Sequence, residues 1–265
     1  MQLENLQVVK WTGDGTINSD WMKVQWKKFS SSVGIHVPDD GSCSEDDWLP
    51  TPHGLMMAQN LRSHPLLHTA FKDLDVVELG GGVGNHTVLL WKQKVKSLLV
   101  TEISSERLKA TAEALASSGC VGNNLHLQVA DWLLVKPKTE DGKFDAVVTN
   151  PPFCQSGMFN RRYFIDELIL NSYKLLRPGG LLVFIHSSMA DIRLSLDGLR
   201  KNGYEAEVLS AHEFPWRDYY LEDPTFLEEA NQVPGGFHMT ENGVRIETLY
   251  MIKAKLLDWN PLIVH

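Results

Sequence analysis

The stretch Asp145-Ala146-Val147-Val148-Thr149-Asn150-Pro151-Pro152-Phe153 decides the fold, and the other motifs are placed relative to it. Its first half is an apolar run with β-branched residues, preceded by Gly142 and Lys143. Two prolines end it abruptly, so it reads as a buried strand running into a stiff turn. Pro151 drives Asn150 out of the helical region, and the two rings fix φ at successive positions. Asn150 is thereby offered from a rigid ledge at the carboxyl end of a strand, the edge at which open α/β sheets bind ligands. The Asn150 carboxamide oxygen and the Pro151 carbonyl can each accept one N–H, and Phe153 offers a face for a planar group. Such a ledge suits the gripping of a flat nitrogen, which makes Asn150, Pro151, Pro152 and Phe153 the candidate catalytic set.

Working outward, strand and helix patterns alternate. Leu74 to Leu79 is an apolar strand, followed by a Gly-rich turn and a helix through Trp91. Leu98 to Thr101 is a second strand ending at Glu102, with a helix from Ser105 to about Ser117. Leu125 to Ala130 is a third strand ending at Asp131, and the opening stretch is the fourth. Tyr163 to Leu176 is predicted helical, stopped by Arg177-Pro178-Gly179-Gly180; Leu181 to Ile185 is a fifth strand and Ile192 to Lys201 a helix. Such alternation predicts an α/β fold with a parallel sheet and helices on both faces. Tyr204 to Leu209 and Arg245 to Ala254 are strand-like with no convincing helix between them, which predicts an antiparallel last strand.

The N-terminal region is less regular. Trp11, Trp21, Trp26 and Trp48 are dense there, Val24-Gln25-Trp26 reads as a short strand, and Ser30-Ser31-Ser32 and Asp39-Asp40-Gly41-Ser42 read as loops. Glu45-Asp46-Asp47 is either a solvated loop or a lid over a cationic ligand. Pro50-Thr51-Pro52 starts a helix, with Thr51 as N-cap, Pro52 in the first turn and Leu55, Met56, Ala58 and Leu61 as its apolar face. The expected organisation is an N-terminal extension with a cap helix over 1–69 and one α/β domain over 70–265. An aromatic-rich insertion at about 211–244 carries Phe214, Trp216, Tyr219, Tyr220, Phe226 and Phe237, either a flap with its own small core or a wall over a small flat substrate.

The bulk composition is globular: 265 residues, 43% hydrophobic and 22% charged. No apolar run approaches the roughly 18 residues of a membrane span, and Met1 to Asn5 lacks the basic-then-apolar pattern of a secretory leader. Three scattered cysteines (Cys43, Cys120, Cys154) fit a reducing compartment, and the cytoplasm is expected. With 25 basic against 33 acidic residues, the net charge of −8 counts against nucleic acid as a partner.

Glu78-Leu79-Gly80-Gly81-Gly82-Val83-Gly84 follows a strand and opens a helix, and its glycines let the backbone approach a ligand closely. Alone, such a turn equally suits a dinucleotide. Glu78, however, would repel a pyrophosphate and attract a cationic amino-acid moiety. Glu102 ends the second strand, where a carboxylate can accept both ribose hydroxyls. Asp131 and Trp132, at the end of the third, suit an adenine amino group and an adenine face. Carboxylates at three successive strand ends fit S-adenosylmethionine rather than NAD. The expected cofactor-binding residues are Glu78, Gly80, Gly82, Gly84, Glu102, Ile103, Asp131, Trp132 and Asn150.

Glu78 to Gly84, Glu102, Asp131-Trp132 and Asn150 to Phe153 together resemble the signature set of class I methyltransferases, with the Asn-Pro-Pro-aromatic form found in those acting on planar nitrogens. The likeness covers roughly residues 70 to 256. Leu181 to Ser188, with Gly203 to Val208, is most similar to the branch related to release-factor glutamine methyltransferases. The resemblance implies a Rossmann-like doubly wound sheet and N-methylation of a protein amide such as glutamine, or of a small planar metabolite. The alternative is a guanine-N2 or adenine-N6 nucleobase in RNA or DNA. The first 50 residues do not read as the helical substrate domain of the release-factor enzymes, and the insertion also departs from them.

Other candidates carry less. No metal site is expected, since Pro65 interrupts the His64 and His68 pair and no Glu follows His64. His186 follows the fifth strand and reads as a capping or buried histidine, or one facing the pocket. Cys154 has no recognisable activating neighbour.

Overall fold

The protein is described here by a computed structural model covering residues 3, 6–13, 17, 19–35, 51–137, 142–152 and 162–257. The expectations for 39–42, 45–47, Trp48, Phe153 and Cys154, and for the Tyr219 side chain, lie outside the described residues.

In chain order the elements are β1 (Val8–Val9), α1 (Ser19–Val33), α2 (Pro52–Ser63), β2 (Asp75–Leu79), α3 (Asn85–Lys92), β3 (Ser97–Glu102), α4 (Ser105–Ser117) and β4 (Leu125–Val129). There follow β5 (Phe144–Thr149), α5 (Tyr163–Asn171), β6 (Leu176–Ser187), α6 (Ile192–Lys201), β7 (Tyr204–Pro215), α7 (Asp218–Glu222), α8 (Pro224–Asn231), β8 (His238–Met239) and β9 (Arg245–Leu256). The strands form one sheet in the order β1-β7-β9-β6-β5-β2-β3-β4, with β8 added to β9. Pairs from β6 to β4 are parallel, whereas β9 runs antiparallel to both β6 and β7. This is the expected doubly wound sheet with an antiparallel last strand.

Strand alternation divides the core between two faces. Val76, Val148, Val183 and Ile185 pack with α1, α2, α3 and α4, while Val77, Val147, Leu182 and Phe184 pack with α5 and α6. At one end of the sheet Arg177 pairs with Asp145 (2.9 Å) and Asp75 (3.5 Å), joining β6, β5 and β2. The cap reading of α2 holds: the Thr51 hydroxyl accepts from the Gly54 N–H at 3.1 Å, and Leu55, Met56, Ala58 and Leu61 are buried.

Five local expectations are corrected. Val24-Gln25-Trp26 and Ser30-Ser31-Ser32 lie within α1, because Met22, Trp26 and Ser30 recur at helical spacing on its buried side while Val24 is exposed. The helix expected to reach Leu176 stops at Asn171, and a short 3-10 turn over Ser172–Lys174 leads into β6. Arg177 to Gly180 falls within β6 as a bulge: Phe144 pairs with Leu176 and Ala146 with Leu181. The late antiparallel pair does enclose helices, α7 and α8.

Those helices carry a small core of their own. Trp216, Tyr220, Phe226, Ala230 and Met189 are buried together, with Phe237 packed at 4.6 Å from the Trp216 ring. Each aromatic ring removes roughly 150–250 Å² from water, so this cluster is what holds the insertion in shape. Trp216→Ala should therefore cost about 3–5 kcal/mol in urea unfolding, with loss of the near-ultraviolet signal from the insertion; a loss below about 1 kcal/mol would show that the cluster is not cohesive.

Candidate active site

The chain runs outward from β2 to β3 and β4, then returns across β2 to lay β5 on its other side. The switch in direction leaves a crevice between the ends of β2 and β5, where doubly wound sheets bind ligands. Thr149 closes the two strand ends together, its hydroxyl donating to the Leu79 carbonyl at 2.8 Å. A cleft of about 690 Å³ opens there. Its wall includes Gly80, Gly82, Glu102, Ile103, Asp131, Trp132, Asn150, Pro151 and Pro152 from the expected set, with Gly81 between the two glycines.

The glycine turn is pinned from three directions. Gly80 and Gly81 N–H groups both donate to the Thr101 carbonyl at 2.9 Å, Thr111 Oγ1 donates to the Gly82 carbonyl at 2.8 Å, and Gly82 N–H donates to Glu102 Oε2 at 2.9 Å. Gly80 and Gly82 hold φ of 73° and 58°, and a Cβ on either would meet nothing within 4 Å. The backbone is thus bare on its cleft side, a cradle that a ligand can approach closely. Gly84 does different work: at φ 88° a Cβ there would lie 2.9 Å from the Thr111 backbone, so it lets α3 pack against α4 behind the turn.

Glu102 accepts further N–H bonds from Ile103 (2.9 Å) and Ser104 (3.2 Å), which fix its carboxylate at the end of β3. Asp131 accepts from the Leu133 N–H at 3.0 Å, capping the turn that presents Trp132. Trp132 stacks on Phe164 at 5.7 Å, and Tyr163 meets Phe164 edge-on at 5.3 Å, so α5 completes an aromatic wall begun by the β4 turn.

Glu78 stands behind the cleft and is not part of its wall. It is buried, with Oε2 accepting from the Thr87 hydroxyl at 2.5 Å. Burial pushes its pKa up to about 8; the Thr87 bond opposes the rise and nearby Glu102 adds to it. His186 is buried with Nε2 2.7 Å from Ser195 Oγ, and burial followed by Arg162 lowers its pKa to about 3. His64 lies beyond α2 with Nε2 3.2 Å from the Leu209 carbonyl, away from the cleft.

Residues not anticipated also line the cleft: Trp26, Thr51, His53, Gly54, His86 and Arg217. His86 Nε2–H donates to the Gly54 carbonyl at 2.9 Å, tying the first turns of α3 and α2. The N-cap reading at Thr51 located this helix start but not its aim, and nothing in the sequence places Arg217 beside it.

Residues 56–209 match the family described as the methyltransferase small domain. The chain belongs to that family. A protein of Methanocaldococcus jannaschii, provisionally named a protein N5-glutamine methyltransferase, is 24% identical over 162 residues, 56% of this chain and 79% of its own. A Pyrococcus horikoshii structure, provisionally described as an RNA methyltransferase, superposes with a TM-score of 0.54 at 11% identity, covering 89% of this chain and 97% of that one. The 16S rRNA N2 G1207 methyltransferase of T. thermophilus, solved with S-adenosylmethionine and guanosine, gives 0.51 at 16% identity, covering 84% of this chain and 45% of that one. Both structural likenesses concern the fold. This methyltransferase uses S-adenosylmethionine, which the bare glycine backbone and the Glu102 carboxylate beside it can accommodate.

Between the ordinary carboxylate value of 4.5 and about 8, the folded chain keeps a Glu78 proton that the unfolded chain has released. Glu78 therefore makes folding less favourable as pH rises through that window. In ligand-free protein, the Tm of Glu78→Gln relative to wild type should climb between pH 5 and pH 8 by several degrees. A pH-independent difference in melting scans would contradict this.

Proposed function

We propose that this methyltransferase acts on a planar nitrogen, either a protein amide such as glutamine or a small flat metabolite. The observation that carries the reading is the shared cleft: Asn150 at the end of β5 faces it alongside the glycine turn at the end of the adjacent strand β2. S-adenosylmethionine, when bound, supplies a methyl group on a positively charged sulfur. The protein's share is then chiefly alignment, since methyl transfer is an in-line displacement between atoms about 3–3.5 Å apart.

In this reading Gly80, Gly82 and Glu102 hold the cofactor by backbone contact and ribose hydroxyls, with Ile103 beside them, Asp131 and Trp132 holding the adenine, and Glu78 and Gly84 supporting the turn. The Asn150 oxygen and the Pro151 carbonyl accept the two N–H bonds of the acceptor. That grip draws an amide-type nitrogen toward a pyramidal shape and so frees its lone pair. Pro152 stiffens the ledge, and Phe153 is assigned the role of holding the acceptor's plane. Residues 70–265 form the catalytic domain, and 1–69 an extension whose α1 contributes Trp26 to the cleft wall. The cytoplasm remains the proposed compartment on the cysteine pattern. No helix among the described residues is long and apolar enough to cross a membrane.

A second reading, a guanine-N2 or adenine-N6 nucleobase as acceptor, draws support from the Tyr163 and Phe164 rings in the cleft wall, which the cofactor reading leaves unassigned. The net charge of −8 disfavours it, because gripping a phosphate backbone needs a basic surface.

Labelled-methyl transfer into a cell extract separated into protein, nucleic acid and small molecules decides between them: label in protein or small molecules supports the first reading, and label confined to nucleic acid supports the second. Asn150→Ala should lower kcat at least about a hundredfold while calorimetry finds S-adenosylhomocysteine affinity within about twofold of wild type. Glu102→Ala should instead weaken that affinity at least about tenfold. Equal loss of affinity in both variants would make Asn150 structural.

A further inference from the structure

The cleft has two ends. The glycine turn, Glu102 and Asp131 belong to β2, β3 and the β4 turn on one side of Asn150. On the other side of β5 lie β6 and β9, where the cofactor reading leaves the polar groups unassigned. Glu247 of β9 is fully buried; its Oε2 accepts from the Ser187 hydroxyl at the end of β6, and its Oε1 has no hydrogen-bond partner among the described residues. His53, in the first turn of α2, lies between this carboxylate and the cleft: Nε2 is 4.0 Å from Glu247 Oε2, and the residue lines the cleft that Glu247 does not reach. The adjacent Gly54 would place a Cβ 3.8 Å from Asn150 Nδ2, so the start of α2 borders the ledge, and His53 and Asn150 line the same cleft.

We propose that His53 is a catalytic residue that takes the proton released by the methylated acceptor, and that Glu247 is the positioning residue that orients its imidazole. The inference rests on the planar-nitrogen reading and deepens it. The nitrogen lone pair forms the new N–C bond and the C–S electrons stay on sulfur. The nitrogen, left with one positive charge too many, sheds a proton to neutral His53, which becomes imidazolium. Glu247 balances that charge, and the proton returns to water as product leaves. A weak base suffices because a methylated amide nitrogen is strongly acidic until it loses its proton.

The protonation states suit these roles. Burial first, then the Arg217 guanidinium and His186, hold His53 well below the usual histidine range, so it is neutral and able to accept. Burial pushes Glu247 up to about 7, against the Ser187 bond and Arg217. The groups that bear on His53 are thus Glu247 from β9, Arg217 from the insertion and His186 from β6.

The test uses the full chain, with the extract fraction that takes up labelled methyl as acceptor. His53→Ala should lose at least about a hundredfold in kcat, keep its affinity for S-adenosylhomocysteine, and recover at least about tenfold with added imidazole. Glu247→Gln should lower kcat most above about pH 7, where the wild-type carboxylate is ionised and can balance imidazolium, and least near pH 5, where Glu247 is protonated. A kcat for His53→Ala within about threefold of wild type, a parallel loss of affinity, or absence of imidazole rescue would overturn the proposal. A second measurement needs no acceptor: in ¹⁵N-histidine-labelled protein with S-adenosylhomocysteine, the His53 ring should be neutral at pH 7, and Glu247→Gln should shift its nitrogen signals. A charged ring, or signals indifferent to Glu247→Gln, would also overturn it. If the acceptor atom proves to be oxygen, the planar-nitrogen reading fails, while the His53 results still decide the base because a hydroxyl also sheds a proton.

Discussion

The hydrogen bond from Thr149 Oγ1 to the Leu79 carbonyl locks the ends of β5 and β2 side by side, and the architecture of the site depends on that constraint. One strand end leads into a bare glycine backbone and the other into an asparagine backed by two prolines. Neither is informative alone. Held on adjacent parallel strands at the point where the sheet reverses direction, they face one cleft, so a donor and an acceptor can meet there without either strand moving. The helices then supply the walls, with α2 and α3 joined through His86 and Gly54, and α5 closing the side with Tyr163 and Phe164.

The electrostatics of the cleft are arranged with similar economy. Glu102 is held by three backbone N–H groups, which fix its orientation at the cleft wall. Glu78, one strand inward, is deprived of water, so it keeps its proton to unusually high pH even though its Oε2 accepts from the Thr87 hydroxyl. The far side of the ledge repeats the pattern with Glu247, buried beneath His53 and bonded to Ser187.

How much of this was legible in the sequence depended on whether a signal was local. The Thr51-Pro52 cap, the span of α4 and the strand end at Glu102 follow from neighbouring residues and stand in the structure as expected, while Asp131 caps the turn just after β4. Val24-Gln25-Trp26 looked extended because two β-formers flank one glutamine, yet the wider spacing of Met22, Trp26 and Ser30 governs, and tertiary burial selects a helix. Arg177-Pro178-Gly179-Gly180 carries turn chemistry, but the pairing of β5 with β6 absorbs it as a bulge. The carboxylates Glu78, Glu102 and Asp131 point to the cofactor where the glycine turn alone leaves it open between nucleotides, and the family resemblance agrees with them. His53 and Arg217, separated by most of the chain, reach one cleft through tertiary packing, a long-range fact with no local signature.

The central claim is that Asn150 faces the methyl donor across the cleft formed by the ends of β2 and β5. Its most direct test is a crystal structure of the full chain with S-adenosylhomocysteine. The account predicts the ribose against Glu102, the adenine between Asp131 and Trp132, and the sulfur opposite Asn150 with space between them for one planar nitrogen. Sulfur turned away from Asn150, or the ligand bound elsewhere on the protein, would contradict it.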